Sequence, residues 1–179
     1  IMLGQHVSEE ALKAARERMG LNDPFLTRYG RFLTEIVRLD FGESLISKRP
    51  VATVLKEKLP ATIELSTFAM IYALIVGGLA GVISAWKQNS IFDYISITIA
   101  LFGISMPIYW LGFMLILFFA VFLNILPTAG RLAAEIDPSV LSSHFYLLES
   151  LFTGKWNIFI SAVKHIILPG IALGTIPMA

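Results

Sequence analysis

Glu64 is the side chain whose surroundings in the sequence are the least ordinary. It follows Pro60 by four positions and directly precedes residues 65–86, twenty-two positions without a charge. A carboxylate beside so apolar a stretch is costly to bury, which makes it by default a candidate for function. Two readings stand. In the preferred one Glu64 lies in the first turn of a helix entered at Pro60, where a carboxylate complements the helix dipole and reaches interfacial water. In the other it faces a solute path.

A second candidate group is Ser105, Pro107, Tyr109 and Trp110, inside an uncharged run covering residues 94–130. Proline removes a backbone donor and clashes with the preceding turn. Broken helices with such residues at the break form hinges or line solute paths in transporters. Equally, a kink followed by aromatics fits around neighbouring helices, and both readings stay open. A third group is Gly77, Gly81 and Ala85 at intervals of four, with Gly78 and Ser84 beside them. Small residues on one face let helix backbones approach closely in lipid. Packing is preferred here over a direct role in a solute path.

Other chemistry finds no pattern to carry it. His144 and His165 flank Gly154, and Glu149 lies five from the first. That spacing matches neither a helical metal pair nor a zincin, so these histidines read as surface or interfacial. There is no phosphate-cradling loop, no nucleophile elbow and no His-Glu-x-x-His. A membrane-embedded hydrolase therefore lacks a catalytic constellation, and no catalytic, cofactor-binding or metal-binding residue is expected. The chain has no cysteine, which excludes disulfides and thiolate metal sites. Its net charge of +1 gives no reason to expect nucleic acid as a partner.

The elements that must hold these residues follow from the distribution of charge. The first sixty positions carry ten of the fourteen Lys/Arg and eight of the thirteen Asp/Glu. The 119 that remain carry nine charges altogether. A polar front thus precedes a lipid-compatible rear, and the chain divides into a helical region over 1–60 and a membrane region over 61–179. In the front, Ser8 reads as an N-cap with Glu9 and Glu10 at the positive end of a helix, Leu12, Ala15 and Met19 on one face, and Gly20 at its close. Asp23-Pro24 opens a second helix. Phe25, Tyr29, Phe32 and Ile36 form its apolar stripe, Arg31 and Glu35 pair at i,i+4, and Gly42 ends it. A third short helix is expected from Pro50 towards Lys58.

Behind Pro60, residues 65–86 would span about 33 Å as a helix, enough to cross a hydrocarbon core of about 30 Å. Nine of them are Leu, Ile, Phe or Val, which favours insertion by roughly 3 to 5 kcal/mol. Residues 94–130 would make a single helix of about 55 Å, too long to cross unbroken. A tilted helix kinked near Pro107 is preferred over two half-crossings meeting there. Asp137-Pro138 predicts a turn, residues 140–152 an amphipathic surface helix broken at Gly154, and Asn157 to about Lys164 a short helix. Leu168-Pro169 then reads as an entry elbow to a third crossing. The chain starts at Ile1 and stops within an apolar run, and it reads as an internal fragment of a longer protein. The fold class expected is all-α, polytopic and membrane-embedded.

Several ordered pieces resemble one family, the permeases of bacterial dipeptide, oligopeptide and nickel ABC importers, the dipeptide type above all. They are Gly20-Leu21-Asn22-Asp23-Pro24 with Arg28-Tyr29, Asp40-Phe41-Gly42-Glu43-Ser44-Leu45, Arg49-Pro50-Val51, and Leu59-Pro60-Ala61-Thr62-Ile63-Glu64-Leu65. Then come Ser90-Ile91-Phe92-Asp93 and Ser105-Met106-Pro107-Ile108-Tyr109-Trp110-Leu111-Gly112. Leu126-Pro127-Thr128-Ala129-Gly130-Arg131, His165-Ile166-Ile167-Leu168-Pro169 and Leu173-Gly174-Thr175-Ile176-Pro177 complete the set.

The resemblance implies a multi-pass subunit of the bacterial inner membrane with six helices, the first preceding Ile1. Residues 1–60 and about 127–165 would be external, 87–93 cytoplasmic, and the loop docking on the ATPase would follow Ala179. The basic front opposes that orientation on a simple Lys/Arg count, but it is long and nearly balanced by acids, so the rule has little force there. The implied partners are a second, homologous permease, two cytoplasmic ATPase subunits that bind the ATP, an extracytoplasmic solute-binding protein and the bilayer. The function implied is an alternating-access path for di- or oligopeptides or a related solute, with no ATPase site in this chain. The competing reading is a membrane scaffold or assembly subunit without transport activity.

Overall fold

The computed structural model describes residues 23–44 and 46–178. The helix expected between Ser8 and Gly20 lies outside them. Two compact units divide the chain, one ending at Glu57 and the other beginning at Lys58.

In the first unit, helix α1 covers Phe25–Val37. The Asp23-Pro24 start is observed, but Pro24 itself sits at the cap, and its carbonyl accepts the amide of Arg28 at 3.1 Å. The carboxylate of Asp23 reaches forward to Arg31 at 2.7 Å, so Arg31 finds its acid upstream rather than at Glu35. Gly42 does not end the helix as expected. Leu39 does, by turning left-handed at φ +58°. Gly42 serves the next turn instead, where Asp40 accepts its amide at 3.1 Å. The chain then doubles back: Arg49 accepts the amide of Ser44, and Gly42 that of Val51, both at 2.9 Å.

Helix α2 is one element, Val51–Trp86, 36 residues with Pro60 inside it. The sequence predicted a short helix, a break at Pro60 and a separate crossing. Proline deletes one bond and presses on the turn before it, but a helix well formed on both sides absorbs the loss, as it does routinely in membranes. At about 54 Å it is longer than a hydrocarbon core.

In the second unit, α3 covers Ile91–Ser105 and α4 Ile108–Leu115. The latter continues as a wider π-helical segment, Ile116–Phe122, shown by the bond from the amide of Leu123 back to Phe118 at 2.9 Å. At the Met106-Pro107 break the two halves bend by 109°. This is sharper than the kink expected within one tilted helix, and the pair is a broken span or a re-entrant loop. Each half of fifteen residues measures about 22 Å, short of a full crossing.

Asp137 accepts the amide of Ser139 at 2.9 Å and opens the 3-10 turn Pro138–Val140. Helix α5 is shorter than expected, Tyr146–Phe152, because residues 141–145 are held in an irregular path by side-chain bonds described below. Gly154, at φ +68°, makes the break. Helix α6 then runs Trp156–Met178 without an elbow, Pro169 and Pro177 both lying within it. It is the centre of the unit, in contact with α3, α4 and α5. Ala162, Leu168, Ala172 and Thr175 are buried along it. Helices α2 and α6 are each long and apolar enough to cross a membrane, and the bent α3–α4 pair adds a third crossing if it counts as one.

Candidate functional site

Glu64 lies fourteen positions into α2, so it cannot cap its own helix; that expectation failed because α2 starts at Val51 rather than at Pro60. Its carboxylate caps a different helix. Oε1 accepts the backbone amides of Leu147 at 2.7 Å and Leu148 at 3.3 Å, in the first turn of α5. No side chain on the α5 side caps that end. Oε2 accepts Nη2 of Arg131 at 2.9 Å, and the same nitrogen donates to the carbonyl of His144 at 2.9 Å. The guanidinium also rests 4.0 Å from the centre of the Tyr146 ring, a cation–π contact.

The Glu64 side chain is 6% exposed and that of Arg131 33%. A buried carboxylate is tolerated only when its lone pairs are filled, and here three donors fill them. Removing one member of a buried pair costs about 3–5 kcal/mol. With Arg131 partly in solvent, the lower end of that range applies.

A second set of bonds secures the same segment. Glu149 accepts the amides of Ser142 (2.7 Å) and Ser143 (2.6 Å) and both hydroxyls, at 2.8 and 2.6 Å. The Ser143 hydroxyl, ahead of the others, lowers the carboxyl to about 2, against a desolvation that raises it. Lys155 donates to the carbonyl of Val140 at 2.8 Å, and Ser161 accepts the amide of Ala133 at 2.9 Å. Residues 131–155 are thereby stitched to α2 by Glu64 and to α6 by Ser161.

Two cavities adjoin this constellation. One, of about 170 Å³, is lined by Glu64, Arg131, Tyr146, His165 and neighbours. The other, about 400 Å³ and mostly apolar, includes Ile108, Gly112, Pro127 and Ala172. Leu65, Gly130, His165 and Pro169 line both, so they form one groove along α6. His165 itself bonds through Nδ1 to the Ser161 carbonyl at 2.7 Å. The exposed His144 contributes its carbonyl to Arg131 rather than its ring.

The remaining candidates are not gathered at Glu64. Ser105, Pro107, Tyr109 and Trp110 stand at the α3–α4 break, all four exposed, with the Ser105 hydroxyl donating to the Leu101 carbonyl at 2.7 Å. Gly77 does pack, since a Cβ there would lie 2.7 Å from the Met178 carbonyl oxygen. Gly81 has nothing within 4 Å, and Ala85 is exposed. The tightest approach uses glycines that went unread. At Gly170 an added Cβ would fall 2.2 Å from the Phe68 ring, and at Gly174, 2.7 Å from the Ala69 carbonyl oxygen. Their i,i+4 spacing was the available signal. Arg131 is not among the candidates the sequence singles out, and nothing local to it announces Glu64, sixty-seven positions away.

The chain is similar along nearly its whole length to proteins of known role. The dipeptide transport system permease protein DppB of Alkalihalophilus pseudofirmus is 45% identical over 178 residues, 99% of this chain and 53% of that protein. The di/tripeptide permease DppB of Pseudomonas aeruginosa is 39% identical, covering 100% of this chain and 53% of its own length. The Escherichia coli K12 dipeptide permease DppB is 38% identical, at 100% and 54%. The chain belongs to the dipeptide-type permease family of bacterial ABC importers. It spans about half the length of the curated relatives it matches. No family model matches it. By their names these relatives are permease proteins of dipeptide or di/tripeptide transport systems, and the apolar helices α2 and α6 suit a place in the bacterial inner membrane.

Proposed function

We propose that the protein is a membrane-spanning permease subunit of an ATP-driven importer for di- or oligopeptides. The observation that carries this is the 45% identity to a dipeptide permease over 99% of the chain. The helices support it, being long enough to cross, with a broken pair of the kind that lines paths in transporters. The groove along α6 runs from the polar Glu64–Arg131 end to Ile108 and Gly112, just past the break, and forms part of the peptide path. Ser105, Pro107, Tyr109 and Trp110 act there as a hinge.

The working assembly contains a second, homologous permease, two ATPase subunits and an extracytoplasmic solute-binding protein. ATP is hydrolysed by the ATPase partners, and this chain holds no nucleotide or other cofactor. Transport proceeds by alternating access, in which nucleotide favours one helix arrangement over another by binding it more tightly. The test is reconstitution of the complete complex from the full-length subunit in proteoliposomes. ATP-dependent dipeptide uptake is expected, and uptake that persists when this subunit is left out defeats the assignment.

A further inference from the structure

The geometry points to Glu64 as a positioning residue that makes residues 131–153 a fixed extension of α2, carried with that helix through the transport cycle rather than opening from it. This rests on the importer reading above.

The segment has the outward features of a lid. It is mostly irregular, it carries only the 3-10 turn Pro138–Val140 and the seven-residue helix α5, and it borders the groove along α6. Its attachments point the other way. A lid that swings must release its contacts in every cycle at little cost, through water-exposed and interchangeable bonds. Here the contact to α2 is a nearly buried carboxylate with all its partners on the segment: two backbone amides of α5 and one guanidinium. Opening would strand a charge in a poorly solvated place and leave the α5 amides without an acceptor at the same moment. Each loss is expensive and they coincide. Residues 142–149 are braced internally by the four bonds onto Glu149, and Lys155, just past the segment, ties Val140 to the start of α6, so the α5 end does not yield piecemeal. A body that is stiff at its α5 end, held by α2 at Glu64 and by α6 at Ser161, moves with that pair of helices, which are themselves packed closely together at Gly170 and Gly174. Motion of α2 would then reach the segment's surface directly.

The chain has no cysteine, which allows paired spin labels on the full-length subunit within its reconstituted complex, once any cysteines elsewhere are replaced. Thr62→Cys on α2 and Phe152→Cys at the end of α5 are both exposed positions. The distance between the labels is measured by pulsed electron resonance in the nucleotide-free complex and in the complex trapped with ATP and vanadate. An unchanged, narrow distribution in the two states is expected; a shift or second population in the trapped state would overturn the clamp. Glu64→Gln, by loosening the clamp, is expected to broaden the distribution and to lower peptide taken up per ATP hydrolysed several-fold, with hydrolysis retained. A normal uptake-to-hydrolysis ratio in that variant would also overturn it. If Glu64→Gln fails to fold, the label pair in the unmutated background still decides. Lack of uptake by the unmutated complex strikes the importer assignment, while the distances still judge the clamp.

Discussion

The α carbon of Gly174 faces the backbone of α2 so closely that a Cβ there would lie 2.7 Å from the carbonyl oxygen of Ala69. Backbone, not a flexible side-chain end, is the obstacle, so the helices themselves must separate to admit a methyl group. We expect Gly174→Ala to cost about 1–3 kcal/mol, the usual price of overpacking. Gly81→Ala should be close to neutral for this unit, having nothing within 4 Å to meet. Thermal unfolding of the two variants in detergent provides the comparison, and equal midpoints would contradict the packing described.

Glu64→Gln keeps the shape of the side chain but removes the charge that Arg131 and α5 use. A loss of about 2–3 kcal/mol is expected, below the full value for a buried pair because the guanidinium is partly hydrated. The amides of Leu147 and Leu148 should exchange with solvent faster, while those in the middle of α6 keep their protection. Exchange mass spectrometry on the purified protein measures both.

Acid should loosen the 142–149 bridge by a predictable route. In the folded protein the Glu149 carboxyl is pushed down to about 2 from its ordinary value of 4.5, chiefly by the Ser143 hydroxyl. A depressed carboxyl stabilises the fold above its unfolded pKa, and that contribution fades as pH falls from about 4.5 towards about 2. Protection of the Ser142 and Ser143 amides should decline over that window. In Glu149→Gln it should be low and flat throughout, and a variant that still follows pH would place the titration elsewhere.

Pro107→Ala restores a backbone donor and removes the ring that blocks a continuous helix. With the 109° bend no longer enforced, α3 and α4 can straighten towards one another. Uptake by the full complex should slow markedly while the amount of protein inserted in the membrane stays near normal. Normal uptake at normal expression would remove the hinge role.

Legibility in the sequence followed the range of the interactions. The spanning character of residues 65–86, the Asp23-Pro24 start and the Gly154 break were readable because hydropathy, capping and left-handed turns act within a few residues. Pro60 and Pro169 misled for the same reason: locally each argues for an end, whereas flanking turns and lipid, where a helix is the only cheap way to pair the backbone, carry α2 and α6 through them. Gly170 and Gly174 were legible but unread, their spacing being as plain as that of Gly77 and Gly81. Glu64 was noticed for the right cause, an acid beside an apolar run, and given the wrong partner. Its true ligands, Arg131 and the amides of Leu147 and Leu148, are joined to it only by the fold.

The wide turn at Ile116–Phe122 accommodates one residue more than an ordinary helix of the same rise would need. Deleting a single position within 117–121 therefore has a natural outcome, in which the surplus is given up and the coil tightens while both flanks keep their orientation. The same deletion in the middle of α6 would swing everything beyond it by about 100° and carry Gly174 away from Ala69. Along this chain, tolerance to a change in length is concentrated where the backbone already holds slack.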